Sequence, residues 1–339
     1  GQFRDARSSY RGAARVDPNY RNTYYNLGIT NLQLRQEDEA LEAFRYAVEI
    51  DSRNDAALYR IASILLNRED YSGAEISLNR AVAIDPADAR YHSRLGTAQY
   101  NQGDLSEAEA SFDRAAELDS ENPTHAYNAA LVKTERGKHR DALRLIQRAI
   151  QQDDRRPEYH FTLGRIRERL GDVNRAIEAH MTAIQRDGAY DRSMIELGRL
   201  LNDQGSPRQA LEVLRRAYDQ SPDGFEVNNN LGQVYLNLER FDDAITHFQT
   251  AVNLRDQDPN VRYNLAVAYV ESGNFERAEE ALNKVVRDDS QFWRAYHRLG
   301  EVYVSQDDQE AARSVLSRLL EANPNYEGRP AVEEIMNTL

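Results

Sequence analysis

Cysteine is absent from this chain of 339 residues, so disulfides, thiolate catalysis and cysteine-based zinc sites are all excluded. Glycine and proline are few, at 17 and 9 residues, and no apolar run approaches the roughly 20 residues that a membrane helix needs. Membrane insertion is therefore not expected. Lysine is also scarce, because only Lys133, Lys138 and Lys284 among the 43 cationic residues are lysines. Wherever the surface is basic, it carries planar guanidinium groups that can donate two hydrogen bonds at once.

The charge balance narrows the class of partner. A net charge of −13 argues against broad binding of nucleic acid, although a local basic patch remains compatible with it. With 40% hydrophobic and 29% charged residues, the composition is that of a soluble helical protein and is too apolar for a disordered chain. The sequence leaves the compartment open between cytoplasm and periplasm.

A spacing of 34 residues dominates the chain. Alanine recurs at this interval ten times without a miss, and a second ladder of glycine or alanine follows the same period. Self-similarity at a fixed period of this length is the signature of a repeat architecture. The alanine ladder is Ala6, Ala40, Ala74, Ala108, Ala142, Ala176, Ala210, Ala244, Ala278 and Ala312, and the other is Gly28, Ala62, Gly96, Ala130, Gly164, Gly198, Gly232, Ala266 and Gly300.

Each period predicts two amphipathic helices of roughly 14 residues joined by a short turn. Small residues let the two helix backbones approach, while large residues between them fill the gap. Glycine in the turn is typical of a left-handed helix C-terminus, and proline after the second helix stops it. The turn glycines are Gly103, Gly137, Gly171, Gly205 and Gly273, and the stops are Asp17-Pro18, Asp85-Pro86 and Ser221-Pro222.

Together, the Leu-Gly pair, the turn glycine, the alanines and the terminal proline resemble the tetratricopeptide repeat. Segments such as Tyr24-Tyr25-Asn26-Leu27-Gly28 and Tyr263-Asn264-Leu265-Ala266 match the first helix of that family. The resemblance implies an all-α fold, a right-handed superhelical solenoid of antiparallel helix pairs. We expect residues 1–20 to be the second helix of a truncated repeat, 21–326 to form nine tandem units, and 327–339 to form a capping helix. On this interpretation the natural protein continues upstream of Gly1 with the missing first helix.

Catalytic motifs are not recognisable in this sequence. It contains no phosphate-binding glycine loop, no H-E-x-x-H pair and no calcium loop, and its polar residues are spread evenly. We therefore predict a protein that is not an enzyme and needs neither cofactor nor metal. The expected partner is a protein or an extended peptide, acidic or presenting its C-terminus.

The resemblance further implies that the first helices line a concave groove in which ligands bind. Two positions just before each Leu-Gly pair face such a groove. The first is aromatic in five repeats, and the second is asparagine in four and arginine in three. An asparagine amide can donate to and accept from one peptide unit, although these residues could equally contact the neighbouring repeat. The predicted binding residues are Tyr25, Asn26, Tyr59, Arg60, Arg90, Arg94, Tyr127, Asn128, Asn230, Tyr263, Asn264, Arg294 and Arg298.

Two basic clusters stand out within that set. Arg60, Arg90 and Arg94 should converge between the second and third units. We expect the tightest binding at the other cluster, where Asn230, Asn264, Arg294 and Arg298 resemble the clamp by which some co-chaperones hold a terminal carboxylate. In the competing interpretation, Arg294 and Arg298 pair with Glu301 and other local carboxylates.

Three functions fit these observations. The first is a protein- or peptide-binding scaffold, of bacterial origin, that assembles its partners. The second is the recognition arm of a larger enzyme, such as a glycosyltransferase bearing tetratricopeptide repeats. The third is a structural protein that associates with itself. None of the motifs in the sequence identifies the partner.

Overall fold

The computed structural model describes residues 2–17 and 20–339. For Arg21 it describes the backbone only. All regular secondary structure in these residues is α-helical, which confirms the predicted fold class. The helices are α1 (Gln2–Val16), α2 (Arg21–Gln33), α3 (Glu37–Ile50), α4 (Asp55–Asn67), α5 (Tyr71–Ile84), α6 (Ala89–Gln102), α7 (Leu105–Leu118), α8 (Pro123–Glu135), α9 (His139–Gln152), α10 (Pro157–Arg169), α11 (Val173–Arg186), α12 (Asp191–Asp203), α13 (Pro207–Gln220), α14 (Phe225–Asn237), α15 (Phe241–Leu254), α16 (Pro259–Glu271), α17 (Phe275–Asp288), α18 (Trp293–Ser305), α19 (Gln309–Ala322) and α20 (Arg329–Thr338).

The helices form two compact units, Gly1–Asp172 and Val173–Leu339. In each unit an even-numbered helix packs against the odd-numbered helix that follows it, and that pair packs against the next pair. We call the even-numbered helices α2 to α18 the first helices and the odd-numbered helices α3 to α19 the second helices. Within each unit, side chains of consecutive first helices are therefore neighbours in space.

The alanine ladder lies where the helices approach most closely. From Ala40 to Ala312 every alanine of this register is fully buried, with no exposed side-chain surface. A larger side chain there would separate the helices and lose the close packing on which such a repeat depends. At the C-terminal end, Val332 of α20 is fully buried against Leu316 and Leu319 of α19. The boundaries 1–20, 21–326 and 327–339 stay predictions.

The turn inside each hairpin has a fixed backbone geometry. The five predicted turn glycines have φ between 72° and 89°, which confirms the left-handed conformation. In four other repeats the same position is left-handed without glycine, at Arg35, Glu69, Glu239 and Asp307. The repeat geometry therefore imposes this conformation even on side chains that disfavour it. The predicted stops at Asp85 and Ser221 follow the last residues of α5 and α13, while Asp17-Pro18 lies partly outside the described residues.

The glycine ladder and the residue 16 positions later are matched in size. A Cβ added at Gly28, Gly96 or Gly232 would lie 2.6–2.9 Å from the ring of Phe44, Phe112 or Phe248. Repeats with alanine in the ladder have an aliphatic partner instead, as in Ala62 with Leu78 and Ala266 with Leu282. Glycine also faces leucine at Gly198 and Gly300, where an added Cβ would lie 2.3 Å from Leu214 and 2.4 Å from Leu316. All three phenylalanines at this position nevertheless face glycine, whereas leucine faces either glycine or alanine.

Gly232→Ala should lower the free energy of unfolding of its unit by about 1–3 kcal/mol, the usual cost of overpacking a core. Phe248 is fully buried and its ring has no room to retreat from the added methyl group. Adding Phe248→Leu should recover part of the loss, because it recreates the pair found at Ala266 and Leu282. Urea unfolding followed by circular dichroism measures both changes. Gly12→Ala in α1, where a Cβ meets nothing within 4 Å, is the control and should not destabilise the protein.

Candidate functional site

A pocket of about 270 Å³ opens on the first helices of the N-terminal unit. Four of the predicted binding residues line it together, from three consecutive first helices: Tyr59 on α4, Arg90 and Arg94 on α6, and Asn128 on α8. The repeat explains this convergence, because equivalent positions on successive first helices lie side by side. Of the predicted first cluster, Arg90 and Arg94 thus meet in the pocket, whereas Arg60 does not line it and contacts the ring of Tyr59.

Asp88 fixes the position of Arg90. Its carboxylate accepts a hydrogen bond from the backbone N–H of Arg90 at 2.8 Å, and so caps the N-terminus of α6. The same carboxylate accepts from the guanidinium Nε at 3.0 Å and forms an ion pair with its NH2 group. The hydrogen bond from Arg90 holds the pKa of Asp88 below its usual range. One carboxylate therefore orders both the start of the helix and the arginine.

The aromatic ring that lines the pocket belongs to Tyr59. The guanidinium carbon of Arg60 lies 6.0 Å from the centre of its ring, and that of Arg90 lies 5.8 Å away. Tyr59 also packs against Tyr91, with ring centroids 5.4 Å apart. Cation–π contacts at these distances favour the charged guanidinium. They add to the ion pair with Asp88 in holding Arg90 beside Tyr59.

Sequence reasoning missed four lining residues: Ser93, Thr97, Thr124 and His125. Helical spacing could have found them, because positions three or four apart share one helix face with Arg90, Arg94 and Asn128. His125 is the most unusual, since only 5% of it is exposed and neither ring nitrogen has a hydrogen-bond partner among the described residues. Burial lowers the pKa of His125, which the Asp119 carboxylate only partly offsets, so the imidazole is neutral at neutral pH.

The other predicted tyrosines also pack between helices. Tyr25 lies 5.7 Å from Phe44, measured between ring centroids. Tyr127 lies 4.8 Å from Tyr159, and Tyr263 lies 5.3 Å from Phe292. All three tyrosines are half-buried, so each ring contributes to the packing and presents one part to solvent.

The predicted asparagines contact the preceding repeat in the second unit. The Asn264 amide donates to the Oδ1 of Asn229 at 3.4 Å, and the Asn230 amide donates to the carbonyl of Ile195 at 3.4 Å. Both contacts are long, and both side chains are half-buried. Asn26 on α2 is likewise half-buried, and its backbone carbonyl accepts from the Thr30 hydroxyl. Their proposed role in gripping a peptide stays a prediction.

The second basic cluster is partly neutralised by local carboxylates. Arg298 pairs with Glu271 at 2.5 Å and with Glu301 at 2.9 Å. Burial alone would lower the pKa of Arg298, but the two glutamates raise it above the usual value. Arg294 is exposed and lies 5.3 Å from the ring centre of Tyr263. The competing interpretation therefore applies to Arg298, while Arg294 is left facing solvent.

The described residues were compared with the requirements of a metal site and of a membrane-spanning helix. No group of three or more histidine, aspartate or glutamate side chains there is arranged to hold a metal ion. None of the helices described is long and apolar enough to cross a membrane.

Family models match nearly the whole sequence. Four models share the description "Tetratricopeptide repeat", and one of them alone matches three segments that make up more than half of the chain. The matched residues are 1–55, 127–192 and 195–260 for that model, and 31–97, 238–299, 89–122 and 294–326 for the other three.

Individual relatives share only part of the chain. Superkiller protein 3 of Schizosaccharomyces pombe is 31% identical over 93 residues, which are 27% of this chain and 7% of that protein. The human protein O-mannosyl-transferase TMTC1 is 25% identical over 99 residues, 29% of this chain and 11% of that protein. The chain thus spans about a tenth of the length of these curated relatives. The crystal structure of the APC/C hetero-tetramer Cut9–Hcn1 is 18% identical with a TM-score of 0.56, and the match covers 94% of this chain and 63% of that one. At such identity the likeness shows the fold.

Proposed function

The chain belongs to the tetratricopeptide repeat family, and from that premise we propose that it is a scaffold that binds extended peptide segments of partner proteins on its first helices. The repeat fold supports a role in protein interaction generally. The observation that carries the more specific proposal is the pocket of Tyr59, Arg90, Arg94 and Asn128, because residues from three successive repeats meet there on one surface. An extended segment that runs across the first helices would meet each of them in turn.

The chemistry of this pocket suits an acidic peptide. Arg90 and Arg94 are both exposed, and they are the charged residues among those that line the pocket. Charge-assisted hydrogen bonds to a carboxylate are worth about 1.5–3 kcal/mol each, more than neutral ones. We place the tightest binding here rather than at the second cluster. Arg90 pairs with Asp88, but Arg94 has no ion pair among the described residues, whereas Arg298 pairs with two glutamates.

Replacing both pocket arginines, Arg90→Gln and Arg94→Gln, should weaken peptide binding at least about tenfold, because one decade corresponds to about 1.4 kcal/mol. Peptides are first selected from a random display library on the purified protein, and their affinities are then measured by calorimetry. The variant Arg294→Gln with Arg298→Gln is the matched control and should lose less affinity. Failure to select any peptide, or equal affinity for the double variant, would contradict the proposal.

A second candidate function is the recognition arm of a larger enzyme. The similarity to a protein named as an O-mannosyl-transferase favours it, although that similarity covers 29% of this chain. Both functions require the pocket to bind a peptide. They differ in whether the chain is joined to a catalytic domain. The complete reading frame distinguishes them, because only an enzyme would add a catalytic domain.

A further inference from the structure

The two arginine pairs, Arg90 with Arg94 and Arg294 with Arg298, occupy the same positions of the repeat. They are separated by 204 residues, which is six periods of 34. Both pairs lie on a first helix beside a tyrosine of the preceding repeat, Tyr59 or Tyr263, and that tyrosine too is at an equivalent position. The two sites therefore differ in their neighbours rather than in their backbone positions.

The residues beside each pair determine whether its second arginine, Arg94 or Arg298, can bind a ligand. Arg298 is held by Glu301 on its own helix and by Glu271 on the preceding first helix. Counting back six periods, the positions of these two glutamates hold Thr97 and Asn67, which carry no charge. Arg94 is correspondingly exposed, and it makes no hydrogen bond or ion pair with any described residue.

Further hydrogen-bonding groups around Arg94 also lack partners. His125 is 95% buried and lines the pocket, yet neither of its ring nitrogens makes a hydrogen bond within the described chain, and the nearest carboxylate oxygen, on Asp119, is 3.8 Å away. A buried polar group without a partner costs free energy. Both ring nitrogens are enclosed by protein, so a ligand in the pocket would satisfy them after a rotation of the His125 side chain. The hydroxyl of Ser93 and the amide of Asn128 line the same pocket and likewise make no side-chain hydrogen bond with the described residues.

We propose that this pocket binds the phosphate monoester of a phosphorylated serine or threonine in a partner peptide. The proposal rests on the proposed peptide-binding function and adds the chemical class of the group recognised. A phosphate monoester carries a charge of about −1.5 to −2 and three strongly accepting oxygens, whereas a carboxylate has one charge and two oxygens. Arg94, the Ser93 hydroxyl, the Asn128 amide and the Arg90 donors that do not bond Asp88 are more donors than one carboxylate can use.

The N-terminus of α8 adds to the same preference. Thr124 and His125 lie in its first turn, and both line the pocket. The partial positive charge of a helix N-terminus favours an anion placed beside it. This contribution is secondary to the arginines, but it acts on the same side of the pocket as the unsatisfied imidazole.

Three fluorescein-labelled peptide libraries test the proposal. They are degenerate at all positions except the centre, which is phosphoserine, glutamate or serine. Fluorescence anisotropy should show the phosphoserine library binding at least about tenfold more tightly than either other library. Arg94→Gln should remove that preference, and Arg298→Gln, its matched control at the same repeat position, should leave it intact. Inorganic phosphate should compete only weakly, because the peptide contributes part of the binding.

Each other outcome would contradict a specific part of the proposal. Equal binding of the phosphoserine and glutamate libraries, with both lost in Arg94→Gln, would overturn phosphate recognition and leave acidic-peptide binding standing. Phosphoserine binding that survives Arg94→Gln would place the site elsewhere. Competition by inorganic phosphate as strong as that by the phosphopeptide would mean that the free ion is the ligand. Binding of no library would overturn the peptide-binding function as well.

Discussion

Replacing Glu109 by glutamine should lower the free energy of unfolding around helices α7 to α9 by about 3 kcal/mol, although the two side chains have nearly the same shape. Glu109 is buried, with 8% of its side chain exposed, and it is the shared partner of three cations. Removing one partner of a buried ion pair costs about 3–5 kcal/mol when the other charge is left without compensation. We expect the lower end of this range, because Lys133 keeps its ion pair with Asp113 at 2.6 Å.

The contacts of Glu109 explain why the loss is large. Its carboxylate accepts from the Nζ of Lys133 at 2.7 Å and from the Nζ of Lys138 at 2.8 Å, and it also pairs with Arg136. Two of the three lysines in the chain therefore meet on one glutamate. Lys133 lies on α8, and Lys138 lies in the turn between α8 and α9. The ion pairs of Glu109 on α7 therefore connect that hairpin to the preceding one.

The same group makes stability depend on pH in the acid range. Burial alone would raise the pKa of Glu109, but hydrogen bonds from Lys133 and Lys138 outweigh it and lower the pKa from 4.5 to about 2. A depressed pKa stabilises the folded state above the unfolded pKa, and that contribution disappears as the pH falls from about 4.5 towards 2. At about 1.4 kcal/mol per pKa unit, roughly 3 kcal/mol is lost across this window.

Native-state hydrogen exchange of α7 to α9 is the measurement for Glu109→Gln, because repeat arrays can unfold locally rather than as a single two-state unit. The matched control is Glu117→Gln on the same helix, where an exposed pair with Arg114 at 3.1 Å should contribute less than about 1 kcal/mol. In the wild type, protection should fall between about pH 5 and pH 2, and in Glu109→Gln this dependence should be weaker. A change no larger than that of the control would refute the role of Glu109.

The fold could be predicted from the sequence because its main determinants are local and recur ten times. Small residues at a fixed period, such as Ala40 and Ala74, mark where helices touch, and the turn glycines mark where they end. The left-handed turns at Glu69 and Glu239 could not have been predicted from the residues themselves. They follow from the register, because neighbouring repeats force that position into the same geometry.

The candidate site could be predicted only in part. The expected cluster was Arg60, Arg90 and Arg94, and the pocket contains Arg90 and Arg94 with Tyr59 and Asn128 instead of Arg60. Side chains at equivalent positions of adjacent repeats are neighbours, which explains this grouping. The register could not show which arginine is neutralised. An arginine is neutralised by a carboxylate three residues after it or 27 residues before it, as Arg298 is by Glu301 and Glu271.

The Glu109 cluster was missed for a related reason. Among ten positions in this register, five hold leucine or isoleucine, two hold arginine and three hold glutamate, namely Glu75, Glu109 and Glu279. In each of the three, the residue 24 positions later is a hydrogen-bond donor to that glutamate, and these residues are Gln99, Lys133 and Tyr303. A comparison of paired positions within the chain, rather than of single positions, would have found this match of acid with donor.

Exchanging the neighbours of the two arginine pairs should exchange their binding properties. Thr97→Glu places a carboxylate where Glu301 lies in the other site, three residues after the arginine and on the same helix face. Arg298 and Glu301 show that this spacing gives an ion pair of 2.9 Å. Arg94 should then be neutralised internally, and binding of the phosphoserine library should weaken at least about tenfold.

Thr97→Val is the matched control for that change. The Thr97 hydroxyl donates to the backbone carbonyl of Ser93 at 3.0 Å, so its removal alters the helix surface little and adds no charge. Fluorescence anisotropy on both variants, with circular dichroism to confirm equal helicity, separates the effect of charge from that of shape. Equal losses in the two variants would mean that the hydroxyl rather than the free arginine matters.

The reverse exchange should create binding where the wild type has little. In Glu271→Asn with Glu301→Thr, Arg298 loses both carboxylates that now hold it and joins the exposed Arg294 beside Tyr263. Two guanidinium groups one helical turn apart then face solvent, as Arg90 and Arg94 do in the first site, where Asp88 pairs with Arg90 alone. With the first site disabled by Arg94→Gln, this variant should bind the phosphoserine library at least about tenfold more tightly than Arg94→Gln alone. High salt should weaken that binding, because the charges are exposed and screened. An unchanged affinity would show that two free arginines are insufficient, and that the unsatisfied His125 with Ser93 and Asn128 supplies what the second site lacks.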